Sequence, residues 1–302
     1  MCLSPTKSWI QAARLRTLPL AIANVSMGAI LATYFGAFDW SIYLLTIIAA
    51  ILLQVLSNLA NEYGDYIHGA DHADRSGPSR TVQSGAISAE AMKKAMYLTA
   101  GLSITSGVIL IAIASLAIPM KVVFLALGLI AVWASINYTA GSNPYGYRGY
   151  GDVSVFLFFG LLSVIGSYYL QRVQWQWSIL LPAISCGTFS MAVLNVNNIR
   201  DLKSDGIAGK NSLALKMGRE MAVKYHALLL IIGILTSVLF VAIHFESWLQ
   251  WLFVIITPLL LINFRAVKRK VEPMELDPYL KQMAMTTLLY VAIFGIGLLC
   301  HQ

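Results

Sequence analysis

The chain is predicted to be an all-α, polytopic membrane protein with nine transmembrane helices, and three observations predict it. Of its 302 residues, 58% are hydrophobic and only 12% charged, at a mean hydropathy of +0.71; a soluble domain carries roughly a quarter charged. The apolar residues gather in nine segments, each near the ~20 residues that cross a ~30 Å hydrocarbon core. The Lys and Arg residues alternate in density between the connections, as positive-inside topology requires.

The first segment, Leu18–Phe35, follows Arg14 and Arg16 and exceeds a signal-peptide core, so it is expected to stay as a helix with its amino terminus inside. Ile42–Asn61 returns inward and is polar only at its inner end. Ala95–Ala117 leaves from Lys93 and Lys94, and Val122–Tyr138 comes back from Lys121. Val153–Leu170 starts after Arg148, and Ile179–Val196 opens beyond Trp175 and Trp177 and closes before Arg200. Ala222–Ile243 follows Lys216 and Arg219. Trp248–Asn263 ends before Arg265, Lys268, Arg269 and Lys270, and Met283–Cys300 carries the carboxyl end outward. On this path only Lys121 and Arg172, of 21 Lys and Arg, fall outside. A missed or extra span would scramble that bias. Trp40, Trp175, Trp177, Trp248 and Trp251, five of the seven Trp, mark the outer edge as an interfacial belt.

The net charge of +7 therefore reports topology and contact with anionic membrane lipid. No soluble basic face remains for nucleic acid. Cys2, Cys186 and Cys300 are too far apart in sequence for a metal or redox motif and are read as structural. The whole chain, 1–302, reads as one transmembrane domain. Its outer loops are short. Two longer inner loops, at 66–94 and 200–220, carry Gly and Pro beside acidic helix ends and are expected to cap a site.

Two clusters carry the chemistry, Asn58-Leu59-Ala60-Asn61-Glu62-Tyr63-Gly64-Asp65 and Asn195-Val196-Asn197-Asn198-Ile199-Arg200-Asp201-Leu202-Lys203-Ser204-Asp205. Each ends a span on the inner side, where carboxylates near hydrocarbon are costly and point to function. If the second span continues as a helix, Asn58, Asn61, Glu62 and Asp65 share one face. Asn195, Asn198, Asp201 and Asp205 form a slowly drifting ladder on the sixth. Hard oxygen donors without a Cys or His set suit Mg²⁺ sharing its shell with phosphate oxygens, and argue against zinc. The plainer reading, two polar helix ends with capping Asn and Asp, explains one such cluster better than two on one side. Arg16, Arg75, Arg80, Arg148, Lys203 and Lys210 surround the clusters and can neutralise a diphosphate, although positive-inside bias alone also explains each.

Two other signals carry less. Gly206-Ile207-Ala208-Gly209-Lys210-Asn211 lacks Walker spacing and the Ser/Thr after Lys. His68 and His72 lie one turn apart near Asp71 with no third nitrogen ligand, and read as a solvated loop pair. A transporter of an anionic or lipid-linked substrate is the rival from another class. Transporters place ionisable residues near the midplane in broken helices, whereas here they crowd one face.

Taken together, these residues resemble the UbiA superfamily of intramembrane prenyltransferases. Its first motif, an N-D-x-x-D with a further Asp downstream, is matched by Asn61-Glu62-Tyr63-Gly64-Asp65 and Asp71, with Glu62 in place of Asp. Its second, D-x-x-x-D, is matched by Asp201-Leu202-Lys203-Ser204-Asp205. Within the superfamily the chain is most similar to the branch that prenylates 1,4-dihydroxy-2-naphthoate for menaquinone. Asn143-Pro144-Tyr145-Gly146-Tyr147-Arg148-Gly149-Tyr150-Gly151-Asp152 and Gly209-Lys210-Asn211-Ser212-Leu213 support that likeness.

The resemblance implies a UbiA-type bundle in a bacterial cytoplasmic membrane, with its site facing the cytoplasm. It implies transfer of a polyprenyl group from polyprenyl diphosphate to 1,4-dihydroxy-2-naphthoate, with loss of CO₂ and diphosphate, giving demethylmenaquinone. Mg²⁺ is then expected on Asn61, Asp65, Asp71, Asn198, Asp201 and Asp205, with Asp65, Asp201, Asp205 and Asp152 catalytic. Asn58, Arg16, Arg75, Arg80, Tyr145, Tyr147, Arg148, Lys203 and Lys210 are expected on the substrates. Another aromatic acceptor, 4-hydroxybenzoate or homogentisate, or a haem vinyl group, would leave the metal half unchanged.

Overall fold

The computed structural model describes residues 4–70 and 80–300, and among them there are helices and no strands. A short helix α1 (Pro5–Ala13) ends at Arg14, which takes the left-handed conformation at φ 49°. That turn, uncommon outside glycine, redirects the chain into α2 (Leu18–Tyr34). The remaining spans are α3 (Trp40–Ile67), α4 (Ala89–Ile113), α5 (Ile118–Asn137), α6 (Gly151–Gln171) and α7 (Trp177–Arg200). After a short helix α8 (Leu202–Ile207) come α9 (Leu213–Ile243), α10 (Trp248–Arg269) and α11 (Pro273–Leu299). Nine helices among the described residues are thus long and apolar enough to cross a membrane. Each overlaps one of the nine expected segments.

Two features shape the interior. The 28 residues of α3 span roughly 42 Å at ~1.5 Å per residue, longer than the hydrocarbon core, so its inner turns stand clear of the lipid. Residues Phe156–Leu162 of α6 form a π-helical stretch, a widening that often marks functional sites.

The spans divide into two packed groups. α3, α4 and α5 share a core of Leu56, Leu59, Met92, Met96 and Val132. α2, α6, α7, α9, α10 and α11 share a larger one that includes Met27, Tyr168, Phe189, Phe240, Tyr290 and Phe294. Close approach inside the larger group relies on glycine: a Cβ on Gly28 of α2 would stand 2.3 Å from the Val164 carbonyl oxygen of α6. Between the two groups lies a cavity of about 780 Å³.

Four of the five Trp expected at the outer edge have exposed side chains. Trp40, Trp177 and Trp248 are 66–80% exposed and Trp175 is 42% exposed. Trp251 instead turns inward and packs against the large core beside Phe253.

Candidate active site

The cavity is polar at one end and apolar along its length. It runs beside α3 from Asp65 to Thr46, roughly 28 Å by helical rise. Leu53, Ile104, Val108, Phe124, Phe158 and Leu162 line the apolar arm. Phe124 stacks on Tyr169 at the outer end, with ring centroids 6.1 Å apart. At the inner end, Asn58, Asn61, Glu62 and Asp65 all face the cavity, as a single helical face requires.

The second cluster behaves differently. α7 stops at Arg200, and Asp201 turns the chain into α8, so the expected continuous ladder is broken. Asn195 points away and donates to the Ala222 carbonyl at 2.9 Å. Asn197 takes its place on the cavity wall, with Asn198, Asp201 and Asp205. The drift of the i, i+3, i+6, i+10 pattern carried its first member off the face.

Charge is the organising feature. Arg80 Nη1 and Nη2 donate to Glu62 Oε1 at 2.8 Å and to Asp65 Oδ2 at 2.7 Å. Glu62 also accepts from Arg14 at 3.3 Å and from the Thr81 N–H and Oγ1 at 2.9 and 3.0 Å. Asp65 Oδ1 accepts from Lys210 Nζ at 2.9 Å and from the Tyr147 hydroxyl at 2.7 Å. Across the cavity, Arg200 grips Asp201 with two bonds of 2.7 Å and reaches Asp277 at 2.5 Å. Asp277 in turn accepts from Arg16 at 3.1 and 2.9 Å. Glu62, Asp65 and Asp201 are at most 4% exposed, so these charges need their partners.

The turn after α5 and the 200–212 segment are tied in beside this lattice. Thr139 Oγ1 donates to Asn61 Oδ1 at 2.8 Å and is shared with the Ala60 carbonyl. A Cβ on Gly64 would stand 2.4 Å from the Thr139 carbonyl carbon, so the turn after α5 reaches α3 only over glycine. The Asn211 N–H donates to the Tyr147 carbonyl at 2.8 Å, tying the 200–212 loop to the turn that carries Tyr145 and Tyr147.

Near the same end Tyr138, Tyr145, Ser154 and Asp152 line the wall. Tyr145 Oη donates to the Ala134 carbonyl and lies 3.1 Å from Ser154 Oγ. Asp152 accepts from Tyr225 at 3.0 Å. Burial pushes the Tyr145 phenol above its ordinary range, so it stays a protonated donor at neutral pH.

Several expected residues do not join the site. Arg148 is exposed and off the cavity wall, and its carbonyl accepts from Lys216 at 2.9 Å. Lys203 is likewise exposed and off the wall, because the helical twist of α8 turns it outward. Asn58 lines the cavity, but its amide is held by the Ala13 carbonyl and Thr17 Oγ1. His68 caps the Gly141 carbonyl at 3.0 Å. Asp71, His72 and Arg75 lie outside the described residues.

Conversely, sequence reasoning missed Arg14, Glu62 as a hub, Thr139, Asn197, Arg200 and Asp277. Two signals were visible. Arg200 directly precedes the second motif, and Asp277 is an acid at the start of a span whose preceding segment is basic.

Among the described residues no three His, Cys, Asp or Glu side chains form a group able to enclose an ion. The donors that face one another across the cavity, Asn61 and Asp65 against Asn198, Asp201 and Asp205, are hard oxygens. Mg²⁺ takes few protein carboxylates and retains waters or phosphate oxygens, so this donor set fits it. Carboxylates and guanidinium groups at one end of a long apolar channel make an arrangement that fits an amphiphile with an anionic head.

Residues 21–296 match the model of the UbiA prenyltransferase family, and the chain belongs to that family. It is 43% identical over 300 residues to the 1,4-dihydroxy-2-naphthoate octaprenyltransferase of Escherichia coli (strain K12), covering 99% of this chain and 97% of that one. The protein of the same description from Haemophilus influenzae is also 43% identical, over 97% of this chain and 96% of its own. Among solved structures, a UbiA homolog from Aeropyrum pernix K1 superposes at a TM-score of 0.70 with 14% identity, over 95% of this chain and 98% of that one. A UbiA homolog from Archaeoglobus fulgidus bound to GPP and Mg²⁺ gives 0.63 at 16% identity, over 97% and 99%. These structural likenesses bear out the nine-helix bundle.

Proposed function

We propose that the protein transfers a polyprenyl group from polyprenyl diphosphate to 1,4-dihydroxy-2-naphthoate, releasing CO₂ and diphosphate. The observation that carries this reading is the polarity of the cavity, an ion-paired head site at one end and an apolar arm roughly 28 Å long behind it. The relatives from E. coli and H. influenzae, described as acting on this acceptor, support the choice of substrate.

Asn61, Asp65, Asn198, Asp201 and Asp205 would hold Mg²⁺, which neutralises charge on the departing diphosphate. Arg16, Arg80, Arg200 and Lys210 supply the remaining positive charge around the headgroup as the allylic C–O bond breaks. The apolar arm holds the chain and excludes water, so the allylic cation meets the ring instead of a hydroxyl. Tyr138 and Tyr145 border the space left for the ring. Asp152, held by Tyr225, is placed to take a ring hydroxyl proton and raise the electron density that attacks the cation. Loss of the carboxylate as CO₂ then restores aromaticity and the ring oxygen takes its proton back, leaving the prenylated hydroquinone, which oxygen converts to the quinone read in the assay. The inner loops face the cytoplasm in a bacterial cytoplasmic membrane, with the amino terminus inside and the carboxyl terminus outside.

The test uses membranes containing the protein, labelled long-chain prenyl diphosphate, and either 1,4-dihydroxy-2-naphthoate or 4-hydroxybenzoate, with Mg²⁺ or EDTA. Prenylated naphthoquinone that needs Mg²⁺ and drops on the order of 100-fold or more in Asp65→Asn and Asp201→Asn is expected. Product from 4-hydroxybenzoate alone would keep the family and overturn the acceptor. Asp152→Asn with normal turnover would remove the base.

A further inference from the structure

Asp277 stands behind the site, not in it. It lies in the first turns of α11, and its side chain does not line the cavity, while Arg16, Arg200 and Asp201 do. Arg16 Nη1 contacts both of its carboxylate oxygens, at 3.1 and 2.9 Å, and Arg200 Nη1 reaches Oδ1 at 2.5 Å. Arg200 is buried, and its other two nitrogens are fully engaged, Nε and Nη2 on Asp201 and Nη2 also on Asn197 Oδ1 at 2.8 Å. The guanidinium is therefore fixed from two sides, by the metal-motif carboxylate in front and by Asp277 behind. Arg16, on the 3₁₀ turn between α1 and α2, has Asp277 as its ion-pair partner.

We propose that Asp277 is a positioning residue for the diphosphate. It sets Arg16 and Arg200, far apart in the sequence, as a two-arginine clamp, and through Arg200 it holds Asp201. The proposal rests on the prenyl-transfer reading. With Nε and Nη2 of Arg200 spent on Asp201 and Asn197, Arg200 meets phosphate through Nη1 and its charge, so the orientation of both guanidinium planes matters as much as their charge. A carboxylate outside the cavity can fix that orientation without competing for space with the headgroup.

The experiment uses the full chain in lipid nanodiscs, with inorganic pyrophosphate and Mg²⁺ as the binding probe, followed by steady-state kinetics. In Asp277→Asn the Kd for Mg-pyrophosphate and the KM for prenyl diphosphate should rise together, about 10- to 100-fold. The KM for the naphthoate should not move. Asp277→Glu, which keeps the charge on a longer stem, should recover much of the binding, and Arg16→Lys should mimic part of the loss. Wild-type pyrophosphate affinity in Asp277→Asn overturns the proposal. So does an equal loss of affinity for both substrates, of turnover and of thermal stability that Asp277→Glu does not rescue, because that is the signature of a fold-only role. If the unsubstituted protein binds Mg-pyrophosphate but leaves the naphthoate unprenylated, the acceptor reading fails and the Kd comparison still decides the role of Asp277. If it binds no pyrophosphate, both fall.

Discussion

Glu62 shows how one residue can match a motif and serve another purpose. At the position where the family motif has Asp, its longer stem spans Arg14, Arg80 and both donors of Thr81. The extra methylene thus anchors the 80–87 segment to α3. Glu62→Asp is expected to leave the Thr81 N–H unpaired and to cost about 1–3 kcal/mol. A lower unfolding temperature with a nearly unchanged Mg²⁺ requirement would bear this out; a large change in Mg²⁺ affinity at unchanged stability would refute it. Asp65 was legible from the motif because spacing reveals shared faces. Arg80, Lys210 and Tyr147 were expected at the site, but not as partners of Asp65, since Lys210 lies 145 positions away. Arg148 fails for the same reason: a cation beside a motif in sequence need not face it in space.

At the scale of elements, the ends of helices decide the site. α3 continues straight through its motif and presents four residues on one face, a geometry that periodicity alone predicts. α7 breaks at Asp201, and that break, with no Pro or Gly to announce it, exchanges Asn195 for Asn197 on the cavity wall. Gly64 is the tight point where the turn after α5 rests on α3. Gly64→Ala would force Thr139 back, costing about 1–3 kcal/mol and loosening its bond to Asn61. Gly101→Ala is the matched control, since a Cβ there meets nothing within 4 Å and its helix is regular; it should be neutral or slightly stabilising. Paired melting curves and prenyl-transfer rates measure both. Equal behaviour of the two variants would show that the contact is immaterial.

For the whole molecule, charge asymmetry and segment length located every span because both are one-dimensional signals. Lateral packing is not. Nothing in the sequence announces that α3, α4 and α5 form a separate group, or that the gap between the groups is the cavity. The expected orientation is tested in a variant lacking Cys2, Cys186 and Cys300, with a single cysteine at Ser84 or Gln174, both exposed. A membrane-impermeant thiol reagent applied to intact cells should label Gln174→Cys and spare Ser84→Cys. The reverse pattern would invert the topology.

The alternation of Arg14, Glu62, Arg80, Asp65 and Lys210 on one side, and of Arg16, Asp277, Arg200 and Asp201 on the other, also bears on inheritance. Each buried charge answers to a neighbour, so a lone substitution strands its partner, whereas a compensated pair preserves the balance. The lattice therefore ties the mutational fates of these positions together. Charge-removing substitutions in this site are therefore expected to be tolerated better as compensated pairs than singly.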